Sequence, residues 1–178
     1  MRKSSKKTFL LFVEGSTEAV YFESLRQLTE FRNSDYKLVV ENCEELNNLL
    51  QLTLNPTARQ KKKIDSASEV GFIFDKDHLG FNDFQKLLSK YKRLGFSNPK
   101  FELWLLAHFE PLKEQYGDVI KSLENYLKNY EKAEYRIADL AKSYETAISN
   151  SEKFNSLKFD EVSTSVALVI LAILGRKI

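Results

Sequence analysis

Apolar residues first gather in an unbroken run, Thr8-Phe9-Leu10-Leu11-Phe12-Val13, rich in β-formers. A run of that length predicts a central strand buried on both faces. Glu14-Gly15-Ser16 breaks it, and the apolar spacing then changes to that of a helix, with Ala19, Phe22, Leu25 and Leu28 on one side and Ser16 or Thr17 as the cap. Tyr36 to Val40 reads as a second strand, and Glu44 to Leu54 as a second helix with Leu46, Leu49, Leu50 and Leu54 on one face, stopped by Asn55-Pro56. The polar, basic stretch from Thr57 to Ser68 is a loop or a short exposed helix. Val70 to Phe74 is another short apolar run and predicts a strand. It is followed by a loop, Asp75-Lys76-Asp77-His78-Leu79-Gly80, and by a helix with Phe84, Leu87, Leu88 and Tyr91 inward. Strands that alternate with helices imply an α/β fold with a parallel, doubly wound sheet flanked by helices.

After Gly95 the pattern becomes helical. Ser97-Asn98-Pro99 reads as a helix start, with Asn98 as the cap and Pro99 at the first helical position, where its missing N–H costs nothing. The segment Lys100 to Phe109 is apolar nearly all round and must be buried. Val119 to Tyr130, Ile137 to Ile148 and Ser163 to Leu174 complete a helical C-terminal part. The 178 residues suit one domain, 1–178, with an α/β core over 1–95 and a helical extension over 96–178.

Composition narrows the class without naming a partner. Apolar residues make up 43% and charged residues 29%, which is globular, and 27 basic against 25 acidic residues leave a net charge of +2. Positive charge gathers locally, in Arg2-Lys3-Ser4-Ser5-Lys6-Lys7 and in Arg59-Gln60-Lys61-Lys62-Lys63, and either cluster is a solvated segment or a face for a polyanion. A lone Cys43 excludes an internal disulfide framework and a cysteine-rich zinc site, as expected for a cytoplasmic protein. The apolar stretch before Glu14 is too short for a signal peptide, and Val166 to Leu174 is about half of what a bilayer requires.

The chemistry lies in the carboxylates. Ligands of a parallel α/β sheet bind beyond the carboxyl ends of its strands. Glu14 follows one strand and Asp75 and Asp77 follow another, so neighbouring strands would bring three carboxylates to one edge. Such a group is unstable unless protons or a cation neutralise it, and an all-oxygen set suits Mg²⁺ or Mn²⁺. Residues two apart in an extended segment point the same way, so Asp75 and Asp77 can address one ion or a pair. Phosphoryl-transfer chemistry follows as the leading expectation, with Glu14, Asp75 and Asp77 as catalytic and metal-binding residues. Glu102, inside an apolar helix, needs a partner: a basic side chain, the helix dipole, or a place in the metal cluster or beside it. Asn98, four residues earlier, belongs to the same face. Lys76 and His78 are candidates for substrate contact or proton transfer. His108, Trp104 and Phe101 read as core residues.

Three passages resemble the RloB-like family, small prokaryotic proteins with a Toprim-like catalytic core associated with phage defence. They are Phe12 to Phe22 (FVEGSTEAVYF), Phe74 to His78 (FDKDH) and Ser97 to Phe109 (SNPKFELWLLAHF), with a weaker match at Ser163-Thr164-Ser165-Val166. The resemblance implies a Toprim-like, Rossmannoid fold and Mg²⁺-dependent nucleic-acid cleavage in abortive infection, often beside a partner AAA-type ATPase. It implies that Glu14 is the Toprim glutamate and Asp75 and Asp77 the Asp-x-Asp pair, while Asn98 and Glu102 belong to the family's own signature. Ser16-Thr17 replaces the more usual Glu-Lys-Thr-like stretch, so a basic residue beside Glu14 is missing. Lys76, or Lys61, Lys62 and Lys63, would then contact the backbone of DNA or RNA.

Two functions follow as expectations. One is a metal-dependent nuclease. The other is a non-catalytic binding or regulatory subunit of a partner ATPase, docking through the helices after Gly117, with a homo-oligomer left open. Phosphotransfer on a small nucleotide is disfavoured, because Glu14-Gly15-Ser16-Thr17 lacks the spacing of a phosphate-binding loop.

Overall fold

The computed structural model describes residues 6–130 and 135–176. Arg2, Lys3, Ser4 and Ser5 of the N-terminal basic cluster lie outside the described residues. In chain order the elements are β1 (Lys7–Val13), α1 (Ser16–Leu25), α2 (Thr29–Asn33), β2 (Tyr36–Asn42), α3 (Leu46–Leu54), α4 (Ala58–Ser66), β3 (Glu69–Asp75), α5 (Phe81–Lys90) and β4 (Arg93–Asn98). They continue with α6 (Glu102–Leu106), α7 (Val119–Glu124), α8 (Tyr135–Leu140), α9 (Tyr144–Ser151), β5 (Ser163–Thr164) and α10 (Val166–Ile173).

The fold is α/β. Five strands form one sheet in the order β2-β1-β3-β4-β5, parallel throughout except for the two-residue β5, which runs antiparallel to β4. The alternation along β1 explains why both faces are covered. Phe9, Leu11 and Val13 enter one core with α1, α6 and the C-terminal helices, while Leu10 and Phe12 enter the other with α3 and α5. The strand order changes direction between β1 and β3. Both neighbours of this switch point end at the same edge, the place where ligands of an open parallel sheet bind.

Several elements differ from the sequence expectation. Arg93–Asn98 is the strand β4, so Asn98 ends a strand and does not cap a helix. Its Nδ2 donates to the carbonyls of Phe159 (2.8 Å) and Glu161 (2.7 Å), and the Asn98–Pro99 peptide is cis. The buried segment that follows forms only the short helix α6, with turns on either side. Thr57 to Ser68 resolves as the exposed helix α4, held by a capping box between Thr57 and Gln60. Neither Ser16 nor Thr17 caps α1; Gly15 occupies that position. Ser163 and Thr164 belong to an edge strand, and the C-terminal helix begins only at Val166.

The Ser163-Thr164-Ser165 segment has a clear task. Ser97 Oγ lies 3.1 Å from Thr164 Oγ1, and Ser165 Oγ accepts from Phe96 N and donates to Leu94 O, each at 2.8 Å. These bonds satisfy the open edge of β4 and seat α10 against it. The approach is close enough that a Cβ at Gly95 would stand 2.2 Å from Ile73 Cδ1 and 3.3 Å from Val169 Cγ2. Among the described residues no helix is long and apolar enough to cross a membrane.

Candidate active site

β1 and β3 pair in register from Phe9 opposite Glu69 to Val13 opposite Ile73, and the backbone N–H of Glu14 extends the ladder to Ile73 O at 3.0 Å. Glu14 and Asp75 are therefore delivered together by adjacent strands. Glu14 Oε2 accepts a 3.0 Å hydrogen bond from the backbone N–H of Asp75. Asp75 is 9% exposed, and its Oδ1 is buried with no hydrogen-bond partner.

Two further carboxylates approach the same point. Glu18 is buried in the first turn of α1, where an acid is favoured by the helix dipole. A Cβ at Gly15 would stand 3.0 Å from Glu18 Oε2, so the absence of a side chain at Gly15 leaves room for that carboxylate above the helix start. Glu102 opens α6, is 1% exposed, and accepts a 3.2 Å hydrogen bond from Tyr130 Oη. Burial first, and then the charges of Glu18, Glu14 and Glu102, push Asp75 well above the usual carboxylate range; a backbone hydrogen bond from Phe101 opposes them. Burial and the charge of Glu102 push the Tyr130 hydroxyl up as well.

Asp77 occupies a different environment. The extended backbone ends at Asp75, and Lys76 to Leu79 forms a turn closed by Leu79 N donating to Lys76 O at 2.7 Å. The strand geometry that would aim Asp75 and Asp77 the same way is therefore lost between them. The Asp77 side chain is 44% exposed and lies 3.5 Å from Lys100 Nζ. His78, whose side chain is 87% exposed, stands 3.8 Å from Asp77 Oδ2.

The basic candidates are dispersed. Lys76 Nζ sits 4.7 Å above the Phe159 ring, a cation–π contact. Lys61, Lys62 and Lys63 are exposed on α4, where Lys63 pairs with Glu41 at 2.7 Å. Lys100 is the basic side chain in contact with an aspartate of the group, and it also lines a cavity of about 410 Å³ with Pro99, Tyr116 and Val119. Asn98 serves the 159–161 segment, while Trp104 and Phe101 are core residues. His108 is buried between Tyr21 Oη (3.1 Å) and Ser143 Oγ (3.0 Å), and burial lowers its pKa to about 3.

Glu18, Lys100 and Tyr130 were not singled out by spacing alone. Glu18 carried a signal: it stands three residues after Gly15, the position from which a glutamate reaches back over a helix start, once Gly15 is recognised as the cap. Lys100 and Tyr130 depend on the turn after β4 and on the chain beyond α7, which no local pattern encodes.

The buried oxygen-only donor set and the orphaned Asp75 Oδ1 fit a hard divalent cation in chemical type. As the side chains stand, no group of three or more His, Cys, Asp or Glu among the described residues is arranged to hold a metal ion.

A family model described as RloB-like protein matches residues 9–173 of the chain. No curated protein and no solved structure matches it.

Proposed function

The chain belongs to the RloB-like family, and on that premise we propose that the carboxylate cluster is the active site of a divalent-metal-dependent nuclease acting in anti-phage defence. One observation carries the reading: buried Asp75, with an unpartnered oxygen, lies beside Glu14, Glu18 and Glu102 at the sheet's switch point. The charges acting on Asp75 are those of Glu18, Glu14 and Glu102, and acids gathered around a buried aspartate beyond the ends of parallel strands support a functional site.

Glu14, Asp75 and Glu102 would hold Mg²⁺ or Mn²⁺, with Asp77 and Glu18 completing the oxygen set. Bound there, such an ion would stabilise negative charge on the phosphoryl oxygens and lower the pKa of a bound water. Glu14 keeps its carboxylate aimed by accepting from Asp75 N–H. Tyr130 orients Glu102 through its hydroxyl. Lys100, paired with Asp77 at the rim, is placed to exchange that partner for a backbone phosphate. Glu18 or Glu14 is suited to accept the proton of the attacking water.

A second reading has its own observation. Tyr126, in the helical part after Gly117, is 43% exposed, and such a surface suits a non-catalytic subunit that docks on a partner AAA-type ATPase. Cleavage of supercoiled DNA and of tRNA with Mg²⁺ tests the two. Product from the wild type and none from Asp75→Asn supports the nuclease. Equal product from both would overturn it.

A further inference from the structure

The opposite edge of the sheet carries a different kind of site. Where β1 and β2 begin, Lys6, Arg26, Arg32 and Lys37 surround a pocket of about 290 Å³ whose floor is Phe31 and Leu38. Lys7 pairs with Tyr36 in the register of the two strands, so this pocket lies a full strand length, about 23 Å, from Glu14. Four cations at one place stand out in a chain whose net charge is only +2.

The cations are unequally engaged. Arg26 pairs with Glu23 one turn earlier, and the Lys6 amine donates to the Arg32 carbonyl. Arg32 and Lys37 are exposed and form no ion pair among the described residues. Phe31 and Leu38 are 4% and 3% exposed and belong to the core, and the half-buried Tyr36 lines the pocket beside them. Phe31 packs edge-on against Tyr144, which fixes its ring. A firm apolar floor beneath free guanidinium and ammonium groups suits a flat ring with an attached phosphate. The guanidinium plane stacks on a base, and the fork of N–H donors meets phosphate oxygens in pairs. A pocket of about 290 Å³ limits the occupant to one small molecule or one unit of a polymer.

We propose that this pocket binds a single phosphate-bearing nucleotide, either free or as the end of a nucleic-acid strand. The site goes beyond the nuclease reading and does not depend on it, because it shares no residue with the carboxylate cluster.

The test is binding in EDTA, where nothing is cut. Fluorescence anisotropy with a labelled, 5′-phosphorylated RNA octamer and calorimetry with ATP and AMP provide the two arms. Arg32→Glu/Lys37→Glu removes exposed charge and leaves the core intact; Lys121→Glu/Lys153→Glu makes the same charge change elsewhere. At least tenfold weaker binding in the first variant, with less than threefold change in the second, is expected. ATP or AMP binding with that pattern identifies a free nucleotide, and octamer binding alone identifies a strand end. No binding of any probe, or an equal loss in both variants, would overturn the proposal. Binding is read in EDTA and compared between variants of this pocket and of a distant surface, so a failed nuclease assay leaves this result independent.

Discussion

Glu14 Oε2 accepts a 3.0 Å hydrogen bond from the backbone N–H of Asp75, joining the ends of two adjacent parallel strands through a side chain. Glu14→Ala removes the acceptor of a part-buried N–H and should cost about 1–3 kcal/mol in urea denaturation. Glu14→Gln keeps an acceptor oxygen and should stay within about 1 kcal/mol of wild type, while losing cleavage as completely as Glu14→Ala. Equal stability losses in the two variants would show that the bond is not what the carboxylate contributes.

Asp75 gives a pH dependence of known sign. Its folded-state pKa is raised by burial and by Glu18, Glu14 and Glu102, so the folded protein holds a proton that the unfolded chain has released. The associated stability is present in acid and is lost as pH rises from about 4, the ordinary carboxylate value, through the raised pKa. Asp75→Asn cannot ionise. Without divalent ions it should melt higher than wild type at pH 8, by roughly 2–4 °C for each kcal/mol recovered, with a smaller difference at pH 4.

His108 predicts the opposite trend. Its pKa falls to about 3 in the folded state because burial disfavours the imidazolium. Its neutral form contributes stability that is complete above about 6.5 and declines as pH falls towards 3. His108→Gln retains polar atoms near Tyr21 and Ser143 and has nothing to protonate. Its denaturation free energy should fall less steeply between pH 6 and 4, by up to about 1.4 kcal/mol per pH unit.

Gly15→Ala separates position from fold. The backbone at Gly15 is extended, so alanine is not strained there, yet its Cβ would stand 3.0 Å from Glu18 Oε2. The flexible carboxylate can move aside. Stability should fall by no more than about 1 kcal/mol, whereas cleavage should drop at least tenfold, as in Glu18→Gln. Unchanged cleavage in both variants would remove Glu18 from the site.

Lys100→Ala should raise KM for nucleic acid several-fold with a smaller effect on kcat, and should reduce the salt slope of binding by about one. Lys76→Ala should leave the slope nearly unchanged, because Lys76 is committed to the Phe159 ring.

What the sequence disclosed depended on how local each cause is. The ends of β1 and β3 are visible because unbroken apolar runs stop abruptly at Glu14 and at Asp75. β4 was hidden: Gly95 and Ser97 interrupt its apolar pattern, and each answers to a distant segment, Gly95 to α10 and Ser97 to Thr164. Asn98-Pro99 imitates a helix start, but Asn98 spends its side chain on carbonyls more than sixty residues away. For the same reason Glu102 was recognisable as a buried acid in need of a partner, while that partner, Tyr130, was not. The side-by-side aim of Asp75 and Asp77 assumed extended backbone through both, which the turn at Lys76 ends.

The most direct test of the central claim is calorimetric titration with Mn²⁺ at neutral pH, comparing wild type with Asp75→Asn/Asp77→Asn, both checked for folding by circular dichroism. Saturable binding by the wild type that the double variant lacks is the predicted result, and Glu14→Gln should weaken it at least tenfold. Identical binding by the two proteins, or none by a folded wild type, would contradict the assignment of these carboxylates as a metal centre.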